Sequence, residues 1–204
     1  ENELCTLHNL TRPTVRQALD SLVREGLIVK RQGKGSIVRK PIQNIGILSI
    51  EGTQSAIGGK YLRTEIIQKP VIRTWGENFP FDLSEPEQES GCVYLERLRY
   101  VDDKPVFYDI NHIPNINLSR FTSRSLENKS LFDTLRQHYH IEVTGGEQRL
   151  KAIRCPDHIG RLLNIRKGDP VLYLERKMMT NREGFHIYSI IWFNSMNHSI
   201  YGRF

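Results

Sequence analysis

The chain has 204 residues, of which 38% are hydrophobic and 25% are charged, a composition that excludes a disordered or fibrous protein. Its longest apolar run, residues 187–193, is far shorter than the roughly 20 residues of a membrane helix. The three cysteines are widely spaced and form no Cys-x-x-Cys pair, which argues against a disulfide framework or a zinc site. We therefore expect a cytoplasmic protein with no membrane partner, metal or cofactor.

The positive charge is concentrated near the start of the chain. The net charge is +6, and between Arg12 and Lys40 there are eight basic residues against two acidic ones. The remaining residues carry equal numbers of basic and acidic side chains. Such a cluster is either an ordinary solvated face or a surface for nucleic-acid phosphates, and composition alone leaves both interpretations open.

The first 24 residues predict two helices joined by a short turn. Thr11 is a good helix N-cap, and Pro13 lies in the first turn, where its missing N–H costs nothing. Arg12 and Arg16 project from one side of this second helix. Apolar residues at i, i+3, i+4 and i+7 mark its buried stripe, which consists of Val15, Ala18, Leu19 and Leu22. A shorter helix upstream is marked by Leu4, Leu7 and Leu10, so the pair resembles a helix-turn-helix.

A hairpin is predicted directly after these helices. The β-prone runs 27–31 and 36–39 flank a glycine-containing tip at 32–35, where the backbone can approach a phosphate closely. The tip is not a nucleotide-binding loop, because it matches neither glycine-rich nucleotide pattern and no helix follows it. A basic helix followed by a basic hairpin is a winged-helix arrangement. Its helix enters the major groove, and its hairpin touches the DNA backbone or the minor groove.

The residues that carry this pattern resemble the GntR family of bacterial transcription regulators. The matching segments are residues 11–19 (TRPTVRQAL), 25–28 (EGLI) and 31–36 (RQGKGS). An arginine that holds guanine bidentately contributes about 1–3 kcal/mol of base discrimination. The alternative is a basic helix that only packs beside a second domain. The resemblance implies that operator bases are read by Arg12, Thr14 and Arg16, that the hairpin contacts come from Arg31, Gln32, Gly33 and Lys34, and that Asn2 occupies a further contact position.

The start of the chain departs from the family pattern. Members of the family normally have an additional helix before the segment that matches Glu1 onward. We therefore expect an N-terminally truncated winged helix, in which Leu4, Leu7 and Leu22 lack part of their packing surface. Such a chain would fold its second domain well and bind DNA weakly.

The rest of the chain predicts an α+β domain built on an antiparallel sheet. We place the winged helix at residues 1–40, a linker at 41–44 and the second domain at 45–204. Asp102 and Asp103 lie in a predicted hairpin turn. Helices are predicted from Ser130, with Phe132, Leu135 and Tyr139 buried, and from Asp157 as an N-cap. The predicted strands are 45–50, 64–75, 93–101, 106–113, 147–152, 171–179 and 185–193.

One predicted strand places two arginines on a single face. Alternation along 93–101 puts Arg97 and Arg99 among apolar side chains. Buried guanidinium groups are costly unless they are paired or face an anion. The competing interpretation is that these arginines lie on the solvent-exposed face, or that they pair structurally with Asp109 on the next strand.

Residues 96–106 (ERLRYVDDKPV) are similar to the signature of UTRA domains, which follow the winged helix in the HutC branch of GntR regulators. The resemblance implies a chorismate-lyase-like fold, a homodimer and a small-molecule effector. It places Arg97, Arg99, Asp109 and Ser130 in the effector pocket. Two departures concern the ligand: Ile187 stands where sugar-phosphate-sensing members have a glutamate, and their early Ser/Thr segment has no clear counterpart around residues 53–60. We expect an anionic or sugar-derived effector.

Catalysis is not supported by any motif in the sequence. No Gly-x-Ser-x-Gly or His-Glu-x-x-His is present. His112 and His186 lie in predicted strands, where they are either pocket residues or structural histidines. The predicted function is that of a transcriptional regulator, most often a repressor in this family, whose affinity for operator DNA is controlled by an effector. The alternative is a stand-alone small-molecule binding protein or lyase-like enzyme with a vestigial winged helix.

Overall fold

The computed structural model describes residues 1–24, 28–31, 35–38, 43–45, 62–196 and 198–200. The chain divides into two compact units, residues 1–43 and 44–204. The described residues contain no helix that is long and apolar enough to cross a membrane. We describe each unit by itself.

The first unit begins with two helices. Helix α1 spans Asn2–His8 and ends at Asn9, whose left-handed backbone (φ 50°) makes the tight turn into helix α2, Arg12–Arg24. Both predicted helices are confirmed. The core contains Val15, Leu19 and Ile28, with Leu4, Cys5 and Leu22 packed against it. Ala18 is exposed instead of buried, because the apolar stripe is narrower than predicted and this residue lies at its edge.

The predicted hairpin is present. Strands β1 (Ile28–Arg31) and β2 (Gly35–Val38) are antiparallel, and Arg31 pairs with Gly35 at the last described step before the tip. Gly35 has a φ of 80°, which glycine adopts more readily than other residues. The tip residues Gln32, Gly33 and Lys34 lie outside the described residues.

The second unit is built on a six-stranded antiparallel sheet of order β4-β5-β6-β9-β8-β7. A separate pair of short strands joins β3 (Gln43–Ile45) to β10 (His198–Ile200). Half of the predicted linker, Gln43 and Asn44, is therefore strand; the predicted strand 45–50 lies outside the described residues beyond Ile45. The six strands are β4 Leu62–Arg73, β5 Cys92–Val101, β6 Lys104–Pro114, β7 Val143–Arg154, β8 Pro170–Thr180 and β9 His186–Phe193.

Among the residues that the structure describes in this unit there are also three helices and one 3₁₀ turn, Phe121–Ser123. Helix α3 spans Glu85–Ser90 and was not predicted. Helix α4 spans Leu131–Tyr139; it buries Leu131 rather than Phe132, which is only half-buried. Helix α5 spans Asp157–Leu163, and its N-cap is Pro156. Asp157 is therefore the first helical residue rather than the cap, and it pairs with Arg161 one turn later at 3.0 Å.

The β5–β6 connection is the predicted hairpin turn, and it consists of only two residues because Lys104 and Pro105 belong to β6. Asp102 and Asp103 have φ values of 49° and 60°, and Val101 pairs with Lys104 across the turn. Two successive left-handed residues match the right-handed twist of the flanking strands. A β-bulge at Val106, between the Tyr100–Pro105 and Arg99–Phe107 pairs, then shifts the register by one residue and places Arg97 opposite Asp109.

The two faces of the sheet are covered differently. We call the face that carries Arg97 and Arg99 the arginine face, and the face that carries Tyr94 and Tyr100 the tyrosine face. On the arginine face, α4 packs over an apolar cluster that includes Leu95, and a second apolar cluster surrounds Phe107 and Phe193. On the tyrosine face, α5 packs on Leu98 and Tyr108. A band of polar side chains crosses the arginine face between its two clusters.

Candidate functional site

The predicted base-reading residues lie at the start of α2. Arg12, Thr14 and Arg16 are all exposed. The hydroxyl groups of Thr11 and Thr14 are 2.9 Å apart and hydrogen-bonded, which ties the first turn of the helix together. Arg16 donates to the Glu1 carboxylate at 3.0 Å, and this hydrogen bond raises the pKa of the Arg16 guanidinium. The helix end therefore presents guanidinium groups to solvent.

The remaining predicted DNA contacts lie in α1 and the hairpin. Asn2 is the first residue of α1 and is exposed, and its carbonyl accepts a hydrogen bond from the Thr6 hydroxyl. Arg31 is exposed at the end of β1. Lys30 of the same strand pairs with Asp20 of α2 at 2.6 Å, which links the hairpin to the helix.

In the second unit, Arg97, Arg99 and Asp109 are brought together. The Arg97 Nε donates to Asp109 Oδ1 at 2.7 Å, and an Arg99 terminal nitrogen lies 3.7 Å from Asp109 Oδ2. The exposed fractions are 5% for Arg97, 7% for Arg99 and 1% for Asp109. The arginines therefore do not lie on a solvent-exposed face, and Asp109 is the structural partner that the second sequence interpretation named.

Burial determines the electrostatics of this cluster. It lowers the pKa of the Arg99 guanidinium to about 10, helped by the nearby charge of Arg97 and opposed by Asp109. Asp109 Oδ2 accepts no hydrogen bond within the described part of the chain. Two buried guanidinium groups that share one carboxylate favour the approach of an anion.

Sequence reasoning missed four polar members of the band across the arginine face. Asn111 donates to Asp109 Oδ1 and accepts from the Ser189 hydroxyl at 2.7 Å. Arg176 on β8 and Gln148 on the edge strand β7 continue the band. The alternation that identified Arg97 in the sequence is also present around Arg176. Leu174, Arg176 and Met178 lie two residues apart and therefore share one face of their strand.

Ser130 is placed at the N-terminus of α4, where it acts as a helix cap. Its hydroxyl oxygen accepts from the backbone N–H of Asp133 at 3.2 Å, as predicted. No described hydrogen bond or ion pair joins it to the arginine cluster. The helix that it caps nevertheless packs, through Leu131 and Leu135, on the same apolar cluster as Leu95 of β5.

The remaining sequence candidates have structural contacts. Ile187 is completely buried in the apolar cluster under α4. His186 is within 3.0 Å of the Glu87 carboxylate, and His112 lies on the tyrosine face between Trp75 and Tyr94. Among the described residues, no group of three or more His, Cys, Asp or Glu side chains is placed to hold a metal ion.

Two family models match this chain. The UTRA domain matches residues 83–198, more than half of the chain, and the bacterial regulatory proteins of the gntR family match residues 1–38. The chain is a UTRA-domain member of the GntR family. It is therefore a transcriptional regulator that binds DNA through its first unit and an effector through its second. The predicted α+β class and family are confirmed.

Related regulators match most of this GntR protein. The uncharacterised regulator YurK of Bacillus subtilis is 26% identical over 90% of this chain and 76% of its own length. The probable fructoselysine utilization operon transcriptional repressor of Escherichia coli is 26% identical, over 86% of this chain and 72% of its own. PhnF of Mycobacterium smegmatis has a similar fold, with a TM-score of 0.78 at 17% identity over 100% of this chain and 89% of its own.

Proposed function

We propose that this regulator is a repressor whose effector is an anionic, sugar-derived metabolite. The observation that carries the proposal is the buried cluster in which Arg97 and Arg99 share the single carboxylate Asp109. Guanidinium groups are the preferred partners of carboxylate and phosphate groups. The name of the Escherichia coli relative, a repressor of fructoselysine utilization, supports a sugar derivative.

For DNA, we propose that Arg12, Thr14 and Arg16 read bases in the major groove. Their exposure at the start of α2 supports this role. Arg31 and the tip residues contact the backbone or minor groove, and Asn2 adds a contact from α1. The tip residues in this proposal are Gln32, Gly33 and Lys34.

The proposed regulation requires two units that communicate. The winged helix is assigned to residues 1–40, the linker to 41–44 and the sensor to 45–204. A cytoplasmic homodimer matches the two-fold symmetry of a pseudo-palindromic operator. Effector binding shifts operator affinity by an allosteric coupling of about 1–3 kcal/mol. Ser130 and the arginine cluster contact the effector, which is bound and released without turnover.

The test separates the two sites. Arg16→Ala should lower affinity for the DNA upstream of its own gene at least tenfold, with effector binding unchanged. Arg97→Lys keeps the charge beside Asp109 but loses the planar fork, so it should retain DNA binding and lose release by the effector. Gel-shift titrations with and without a panel of sugar phosphates and sugar acids measure both. Arg161→Ala, an exposed site on α5, is the control.

Two outcomes would refute the assignment. Equal losses of DNA and effector binding in Arg16→Ala would mean that this helix does not read DNA. A normal effector response in Arg97→Lys and in Arg97→Ala would place the pocket elsewhere. Conversion of any panel member to product would favour the lyase-like alternative.

A further inference from the structure

A straight row of polar side chains extends the arginine cluster across the sheet. The strand register places Asn111 opposite Ser189, Ser189 opposite Arg176, and Arg176 opposite Gln148. These pairs run from β6 through β9 and β8 to the edge strand β7. Because all four residues lie on the arginine face, the row is continuous with Arg97 and Asp109 rather than a separate feature.

Hydrogen bonds and charge connect the two ends of this row. Asp109 accepts from Arg97 and Asn111, and Asn111 accepts from Ser189. Arg176 is largely withdrawn from solvent: burial lowers the pKa of its guanidinium, and the charge of Asp109 opposes that shift. The charge of Arg176 thus interacts with the same carboxylate as Arg97, although β8 lies two strand spacings, about 9.5 Å, from β6.

The far end of the row opens into a cleft of about 80 Å³ that Gln148, Arg176 and Met178 help to line. Gly145 and Gly146 of β7 also line this cleft. A Cβ at Gly146 would come within 2.7 Å of the Lys177 carbonyl oxygen, so close strand contact requires glycine there. The volume is too small for a whole metabolite and sufficient for one substituent of it.

Gln148 indicates what this cleft recognises. Its Oε1 is buried and has no hydrogen-bond partner in the described part of the chain. A buried acceptor left without a donor destabilises the protein, and a ligand O–H or N–H would relieve that cost. Arg176 offers only donors, whereas Gln148 offers an acceptor. A hydroxyl group matches both, because it donates one hydrogen bond and accepts others.

We propose that Gln148 and Arg176 form a second subsite of the effector site, and that it binds a hydroxyl group at the end of the effector remote from the anion. The inference rests on the proposed function, since the anion end is held by Arg97 and Arg99. The effector is thereby a polyhydroxylated anion, such as a sugar phosphate or a sugar acid. A simple carboxylate or inorganic phosphate fills only half of the site.

The test compares ligands that fill one or both subsites. Inorganic phosphate, glucose 6-phosphate, glucosamine 6-phosphate and gluconate are titrated into the full chain by calorimetry. The tightest sugar derivative should bind the wild type at least tenfold more tightly than phosphate. Gln148→Leu should reduce that preference about tenfold and leave phosphate affinity unchanged. Gln137→Leu, at an exposed position of α4, is the matched control and should change neither affinity.

Stability distinguishes recognition from a structural role. Gln148→Leu removes an unpartnered buried acceptor, so the melting temperature of the ligand-free variant should equal or exceed that of the wild type. A lower melting temperature together with weaker binding of every ligand would show that Gln148 is structural and would overturn the inference.

Failure of the second subsite differs from failure of the proposed function. If phosphate binds through Arg97 but no sugar derivative binds more tightly, the anion site stands and the second subsite is wrong. Unchanged ligand preference in Gln148→Leu has the same meaning. If no panel member binds the wild type, the sugar-derived effector is wrong and the subsite is wrong with it.

Discussion

At the scale of single residues, the sensor unit buries ionisable groups in two different ways. Arg97 and Asp109 are buried as a hydrogen-bonded pair, with the Arg97 Nε 2.7 Å from Asp109 Oδ1. His112 has no carboxylate partner among the described residues; it lies between the rings of Trp75 and Tyr94, near the positive charge of Arg73. An imidazole in this position is stable only when neutral.

The stability of the protein should therefore depend on pH through His112. Burial, with a smaller effect from Arg73, lowers the His112 pKa to about 4, against about 6.5 when unfolded. Below pH 6.5 the unfolded chain binds the additional proton, so stability falls as the pH decreases from about 6.5 to about 4. Urea unfolding across this range measures the slope. His112→Phe should flatten it, and the exposed His138→Gln should not; equal slopes in all three proteins would contradict the assignment.

At the scale of elements, α3 is anchored to the sheet by one buried carboxylate. Glu87 has no exposed surface, and it accepts hydrogen bonds from the backbone N–H groups of Ser84 and His186. The Ser84 and Tyr188 hydroxyl groups donate to it as well. Because His186 and Tyr188 flank Ile187, this carboxylate fixes the part of β9 that carries Ile187 on the arginine face.

Removal of this carboxylate should destabilise the protein more than is usual for a residue on a six-residue helix. Glu87→Ala leaves several buried donors without an acceptor, so the free energy of unfolding should fall by about 3 kcal/mol. Glu89→Ala, exposed on the same helix, is the control and should change it by less than about 0.5 kcal/mol. Denaturant unfolding at pH 7 measures both.

The Glu87 contribution should also be lost in acid. Burial raises the pKa of this carboxyl, but the hydrogen bonds that it accepts outweigh burial, and the folded-state pKa is lowered. A lowered pKa stabilises the folded state above the unfolded-state value of about 4.3, and the stabilisation disappears as the pH falls through the folded-state value. The stability difference between wild type and Glu87→Ala should therefore shrink below pH 4; a constant difference would contradict this account.

At the scale of the whole molecule, charge separates the two roles of the protein. The excess of basic residues lies between Arg12 and Lys40, whereas the rest of the chain is balanced. Operator binding should therefore depend steeply on salt. With about six phosphate contacts, affinity should fall about 10³-fold between 50 and 200 mM salt, because bound counterions are released.

Effector binding supplies the internal comparison for this salt dependence. The arginine cluster is buried, and buried charges are screened much less than exposed ones. The affinity of the protein for its effector should therefore change less than tenfold over the same salt range. Calorimetry with the tightest-binding sugar derivative measures this change. Similar slopes for DNA and effector would show that both bind through exposed charges, contrary to the structure.

Local patterns along the chain were sufficient to predict most of the fold. Two helices of the winged unit, the basic hairpin and the Asp102–Asp103 turn are dictated by neighbouring residues, through caps, periodicity and turn chemistry. The same is true of α4 and of the six strands of the main sheet, whose bounds shift by no more than four residues. Alternation also predicted that Arg97 and Arg99 share a face. Helix α3 was missed because it has no apolar stripe, although the Ser84-x-x-Glu87 capping box with Pro86 in the first turn is a local signal for it.

Only the tertiary structure decided which distant residues form the proposed effector site. The hairpin of β5 and β6 was predictable from its turn, but a β-bulge at Val106 shifts the register so that Arg97 lies opposite Asp109 rather than Tyr108. The other neighbour of β6 is β9, which follows more than 70 residues later in the chain. Strands β8 and β7 lie beyond β9 in the sheet. That order aligns Asn111, Ser189, Arg176 and Gln148 in one row. Sequence separation does not encode strand order, because packing of both sheet faces selects it.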